Sequence, residues 1–145
     1  MAADDLFDLI RFVAAQNSGS SYEQAVTELR RGVKTSHWMW FVFPQIAGLG
    51  RSATARRYAI SSVAEARAYL AHPLLGPRLA ECAQIVAGLT GRTADQIFGG
   101  IDALKLRSSM TLFRLADPEQ EVFGQVLDRY YEGSPDAATE QLARG

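Results

Sequence analysis

Ile101-Asp-Ala-Leu-Lys-Leu-Arg-Ser-Ser-Met-Thr-Leu-Phe-Arg-Leu115 carries apolar residues on two sides of one helix. At about 100° per residue, Ile101, Leu104, Leu112 and Leu115 share one face, while Ala103, Leu106, Met110 and Phe113 share another almost opposite. A helix of this kind is expected to be packed on both sides and to stand centrally in its domain. Between the two faces runs a narrow polar stripe of Asp102, Lys105 and Ser109, spaced three and four residues apart so that the side chains stack. Polar groups flanked by buried faces are expected to find partners.

The segments on either side also read as helices. Leu6, Leu9, Ile10 and Val13 form a stripe that predicts a helix over residues 5–16, with Asp4 or Asp5 as its cap. Ser20 and Glu23 read as a capping box for a helix through Tyr22, Ala25, Val26 and Leu29 that Gly32 stops. Residues 36–43 are apolar all round, so periodicity leaves a buried helix and a buried strand both open until Pro44 ends the segment. Ser52 caps a short turn running to Tyr58, and Ser62 with Glu65 reads as a second box. His72-Pro73 punctuates the chain, with His72 placed to cap a helix terminus or to face a pocket, the cap being favoured, and Leu75, Leu79, Cys82, Val86 and Leu89 form the stripe of a helix beginning near Pro77. Thr93 and Gln96 supply another box, Asp117-Pro118 opens a helix that Gly133 closes, and Ser134-Pro135 opens a frayed final one.

No Asn-Gly or Asp-Gly hairpin signal separates alternating apolar runs. The expected fold is therefore all-α: a single compact domain over residues 1–145, an irregular array of about seven or eight short helices. The 145 residues suffice for one core, and 48% hydrophobic with 21% charged residues is a globular composition. A net charge of -1 excludes a protein that coats nucleic acid non-specifically. The single cysteine, Cys82, excludes an internal disulfide, and two histidines are too few to suggest a metal centre. No cofactor motif is present. The acidic start, Met-Ala-Ala-Asp-Asp, lacks the form of a secretory signal, and no apolar run approaches membrane-spanning length. A cytoplasmic protein with no membrane association is expected, with homo-oligomer formation left open.

Chemistry points to residues 34–50, Lys-Thr-Ser-His-Trp-Met-Trp-Phe-Val-Phe-Pro-Gln-Ile-Ala-Gly-Leu-Gly, which set a lysine and a histidine against the densest aromatic run. The surrounding residues 29–64 contain Arg30, Arg31, Lys34, Arg51, Arg56 and Arg57 but no Asp or Glu. Uncompensated cations beside aromatic faces suit a small anionic, nucleotide-like ligand. The candidate binding residues are Lys34, Trp38, Trp40, Gln45, Arg51 and Ser109. If the reaction is hydrolytic, His37 or Asp102 is the general base and Lys105 steadies developing negative charge. Plainer readings stand beside these: a core Trp38 and Trp40, a His37 tucked beneath them onto a carbonyl, and an Asp102–Lys105 pair facing solvent. The competing function is a non-catalytic interaction or dimerisation module that uses the aromatic block. Gly48-Leu49-Gly50 lacks the strand and helix that a phosphate-binding loop requires.

The blocks Lys34 to Gly50, Tyr58-Ala59-Ile60, His72-Pro73-Leu74-Leu75-Gly76-Pro77-Arg78-Leu79, Phe98-Gly99-Gly100-Ile101-Asp102 and Ser108-Ser109-Met110-Thr111-Leu112-Phe113 together resemble the domain of unknown function 1810 family. The likeness runs through nearly the whole chain and implies no transferable activity. Bacterial members are often labelled calpastatin. An inhibitor of that name is expected to be extended, repetitive and poor in hydrophobic residues, which the capped helical pattern here contradicts.

Overall fold

The computed structural model describes residues 5–144. Its helices are α1 (Ile10–Asn17), α2 (Ser21–Arg31), α3 (Met39–Val42), α4 (Ala53–Arg57), α5 (Val63–Ala71), α6 (Leu75–Gly88), α7 (Ala94–Phe98), α8 (Gly100–Ala116), α9 (Glu121–Tyr131) and α10 (Ala137–Arg144). The architecture is all-α. Among the described residues the extended pairing is a single parallel bridge between Ile46 and Ile60, closed by Ala47 N donating to Ile60 O and Ile60 N donating to Gln45 O, each 2.8 Å.

Helix α8 is the hub, packing against α5, α7, α9 and α10. From Ser108 to Phe113 every residue is buried, so this half of the helix is enclosed all round. The first two turns differ from the sequence expectation. Ala103 and Leu106 are buried, but Ile101 and Leu104 stand 75% and 65% exposed. Leu115 is also exposed, so the face predicted to be apolar and buried is covered only at Leu112. A row of aromatic rings crosses the core through the hub: Phe12 meets Tyr69 edge-on at 5.1 Å, Tyr69 meets Phe113 at 5.3 Å, and Phe113 meets Phe123 at 6.0 Å.

Several helix ends depart from their sequence signals for local reasons. Helix α1 begins at Ile10 rather than at residue 5, because residues 5–9 form a turn with Asp8 at φ 53°. Asp5 still caps it, accepting from the amides of Leu9 and Ile10 at 2.7 and 3.0 Å, while Leu6 is left exposed. Asp4 lies outside the described residues, as do Met1, Ala2, Ala3 and Gly145. The Ser20–Glu23 box is not formed: Ser20 is left-handed and its side chain caps nothing. The undecided aromatic segment contains the short helix α3.

The Ser62 hydroxyl accepts from Glu65 N as expected, but Glu65 turns away to accept from Ser61 and to pair with Arg11 at 2.8 Å. The Thr93–Gln96 box is complete. His72 caps α6 through Nδ1, which accepts from the amides of Leu74 and Leu75 at 3.1 and 3.2 Å, so that helix starts at Leu75 rather than near Pro77. Asp117 organises a turn, accepting from Glu119 N and Gln120 Nε2, and α9 starts only at Glu121. The final helix is tied down rather than frayed. Asp136 accepts from Thr139 N and Oγ1 and from Ser108 Oγ, and its own amide donates to Thr111 Oγ1 on α8.

Candidate functional site

The segment carrying Lys34 is shaped by a carboxylate that lies just before the acid-free stretch. Glu28, on the last turn of α2, is buried and accepts from Thr35 N at 2.8 Å, Ser36 N at 3.0 Å, Ser36 Oγ at 2.6 Å and Trp38 Nε1 at 3.0 Å. Burial pushes its carboxyl up, but the four donors outweigh that and hold the pKa at about 2. Its sequence signal was slight: an acid three residues after Ala25, at the edge of the apolar stripe. From the other side, Lys34 N donates to Ile97 O at 2.7 Å and fixes the segment against α7.

So held, Lys34 extends beneath the surface. Its side chain is only 7% exposed, and Nζ lies 2.8 Å from Asp102 Oδ2. The other oxygen of Asp102 lies 3.3 Å from Lys105 Nζ. The two sequence blocks thus meet at one carboxylate. Each ammonium also lies over an indole ring, Lys34 at 5.1 Å from the Trp38 centroid and Lys105 at 4.6 Å from that of Trp40. The acid-free stretch therefore draws its compensation from outside itself, with Asp102 pairing Lys34 and Glu81 pairing Arg30.

Beside Lys105 opens a cleft of about 340 Å³. Gln45, Leu49 and Gly50 form one wall, Ile101, Leu104, Lys105, Arg107 and Ser108 of α8 form the other, and Asp136 with Ala138 closes the end. Arg107 is braced by donating to Ser134 O, Ser134 Oγ and Pro135 O. Gly48, at φ 106°, lets α10 approach the loop, since a Cβ there would lie 3.2 Å from a Leu142 methyl. The glycines of Gly48-Leu49-Gly50 shape a wall of the cleft.

Of the residues singled out from sequence, Lys105 and Gln45 line this cleft. Lys34 and Asp102 stand behind Lys105 as its ion-paired support. Trp38 is 2% exposed and belongs to the core, and Trp40 is half-buried with Lys105 over its ring. Arg51 is exposed and makes no side-chain hydrogen bond or ion pair among the described residues. His37 departs from the buried reading. It is exposed, not tucked beneath a tryptophan, and no residue described here hydrogen-bonds to it. Ser109 overturns the expectation that every group of the polar stripe finds a partner: its Oγ is fully buried without a hydrogen bond among the described residues. Cys82 is buried, which pushes its thiol up to about 12 and removes it as a nucleophile. Among the described residues, no group of three His, Cys, Asp or Glu side chains is placed to hold a metal ion, and no helix is long and apolar enough to cross a membrane.

The pattern of the family described as protein of unknown function, DUF1810, matches residues 6–143. The chain belongs to the DUF1810 family. A solved structure with the same fold is that of Rv1873, a conserved hypothetical protein from Mycobacterium tuberculosis. It is 52% identical, with a TM-score of 0.94 over 97% of this chain and 99% of that one. No curated protein matches. This DUF1810 chain therefore has a fold shared with a solved relative, and its chemistry has to be read from its own cleft.

Proposed function

We propose that the protein is a cytosolic binding protein for a small anionic ligand, taken up in the cleft beside Lys105. The observation that carries this reading is the Lys34–Asp102–Lys105 row. One carboxylate shared by two ammonium groups leaves one positive charge in excess, and the ammonium nearer the cleft is Lys105. Arg107 and Asp136, also in the lining, offset each other. Lys105 is positioned by the Trp40 ring and by Asp102 before any ligand arrives, so little conformational freedom remains to be lost on binding.

Hydrolysis draws no support from this arrangement. A general base needs reach to its proton and a group that orients it. His37 has no such orienting group among the described residues, and Asp102 is committed to two lysines. An interaction module built on the aromatic block is likewise disfavoured, because Trp38 and Phe43 are core residues.

A thermal-shift series with inorganic phosphate and small organic phosphates tests the reading. At roughly a hundred times Kd, ligand binding to the folded state adds about 2.7 kcal/mol, several degrees in a domain of this size. Lys105→Ala should abolish the shift. No shift with any probe, or an equal shift in Lys105→Ala, would remove the cleft as an anion site.

A further inference from the structure

Resting on the anion-binding reading, we infer that the rest of the ligand is an aliphatic chain and not a nucleobase. A base needs an open aromatic face to stack on and polar groups to read its edge. The cleft supplies neither. Trp38 is enclosed, and the Trp40 ring carries the Lys105 ammonium. Ser108 Oγ and the Asp136 carboxylate already bond to each other, and Gln45 is the remaining uncharged polar side chain in the lining.

What the cleft does offer is aliphatic. Leu49 stands on one wall with Ile101 and Leu104 opposite, and the last two are far more exposed than large apolar residues of a central helix should be. Leu142, also exposed, extends the same surface over Gly48. A contiguous apolar surface with a cation at one end matches an amphiphilic anion: the headgroup goes to Lys105, and the chain lies along Ile101 and Leu104. The volume, near the lower limit for small-molecule sites, suits a short chain.

Calorimetric titration of the full chain with inorganic phosphate, hexyl phosphate, hexanoate and adenosine monophosphate decides it. Hexyl phosphate should bind at least about tenfold more tightly than phosphate, the scale of burying a few methylenes. Adenosine monophosphate should gain nothing over phosphate, and hexanoate shows whether a carboxylate serves as headgroup. Leu104→Ala changes an exposed side chain, so the fold should stand. It should lose most of the hexyl gain and keep the phosphate affinity. Adenosine monophosphate binding as tightly as hexyl phosphate, or Leu104→Ala binding hexyl phosphate unchanged, would overturn the aliphatic assignment while leaving the anion site intact. Absence of binding by every probe would instead overturn the anion site and this inference with it. A dimer abolished by Leu104→Asp, with hexyl phosphate unable to dissociate it, would assign the patch to a second copy of the chain and overturn the inference.

Discussion

Glu28 gathers two amides, a hydroxyl and an indole N–H onto one buried carboxylate, and through them it fixes the segment that carries Lys34. Glu28→Gln keeps the shape but replaces an acceptor oxygen with an NH2 that faces existing donors. A fall in carboxyl pKa from 4.5 to about 2 corresponds to about 3 kcal/mol. The variant should melt roughly 10 °C lower near neutral pH. The folded pKa lies below the unfolded one, so this contribution is complete above about pH 4.5 and is lost as pH falls toward 2. Melting curves of the two proteins should therefore converge across that window. A constant difference would show that the carboxylate charge is not the cause. Ser109 predicts the opposite sign. Its buried hydroxyl has no partner among the described residues, so Ser109→Ala should leave stability unchanged or raise it by about 1 kcal/mol. A loss of 2 kcal/mol or more in denaturant unfolding would mean that the hydroxyl bonds to something, such as a buried water.

At the scale of elements, most helices are legible from local signals, although the starts of α1, α2 and α9 shift where a local turn intervenes at Asp8, Ser20 and Asp117. The Thr93–Gln96 box, the Ser52 cap, the Gly32 stop and the His72 cap all stand as the sequence suggests. Elsewhere a signal fails because a distant group competes. Glu65 leaves its box for Arg11, whose partners also include the carbonyls of Arg57 and Ala59, and no local pattern announces that. The two apolar faces of α8 indicate a central helix, yet periodicity cannot say where along the helix its neighbours end, and so it assigns to the core Ile101 and Leu104, which stand exposed. The contact between α5 and α6 is equally invisible in sequence. A Cβ on Gly76 would lie 2.0 Å from Leu70 O, a clash that only backbone movement relieves. Gly76→Ala should cost about 3 kcal/mol or more, measured by urea unfolding. A cost below about 1 kcal/mol would mean that the two helices are not packed this closely. Asp136→Ala removes the acceptor that caps α10 at Thr139 and ties it to Ser108 of α8. Amide exchange in α10 should then speed up while α9 stays protected, and unchanged exchange in α10 would show that Asp136 does not anchor it.

For the whole molecule, an all-α domain could be read from caps and composition because these depend on neighbours in sequence. The site was half legible. Two blocks rich in cations, aromatics and polar stripe residues were identifiable, and the fold brings them onto one carboxylate. Which members open to solvent was not identifiable, because exposure is set by tertiary packing. Lys34 and Trp38 became support, His37 stands apart without a bonded partner among the described residues, and the cleft drew on Ile101, Leu104, Arg107 and Asp136, which composition had not marked as binding residues. The central claim is that Lys105 and the aliphatic wall beside it form one anion-binding cleft. Amide chemical-shift mapping of the 145-residue protein during titration with hexyl phosphate tests it most directly. Shifts confined to Gln45, Leu49, Gly50, residues 101–108 and Asp136 are the expected result. A saturable pattern centred elsewhere, or no change at these amides, would contradict it.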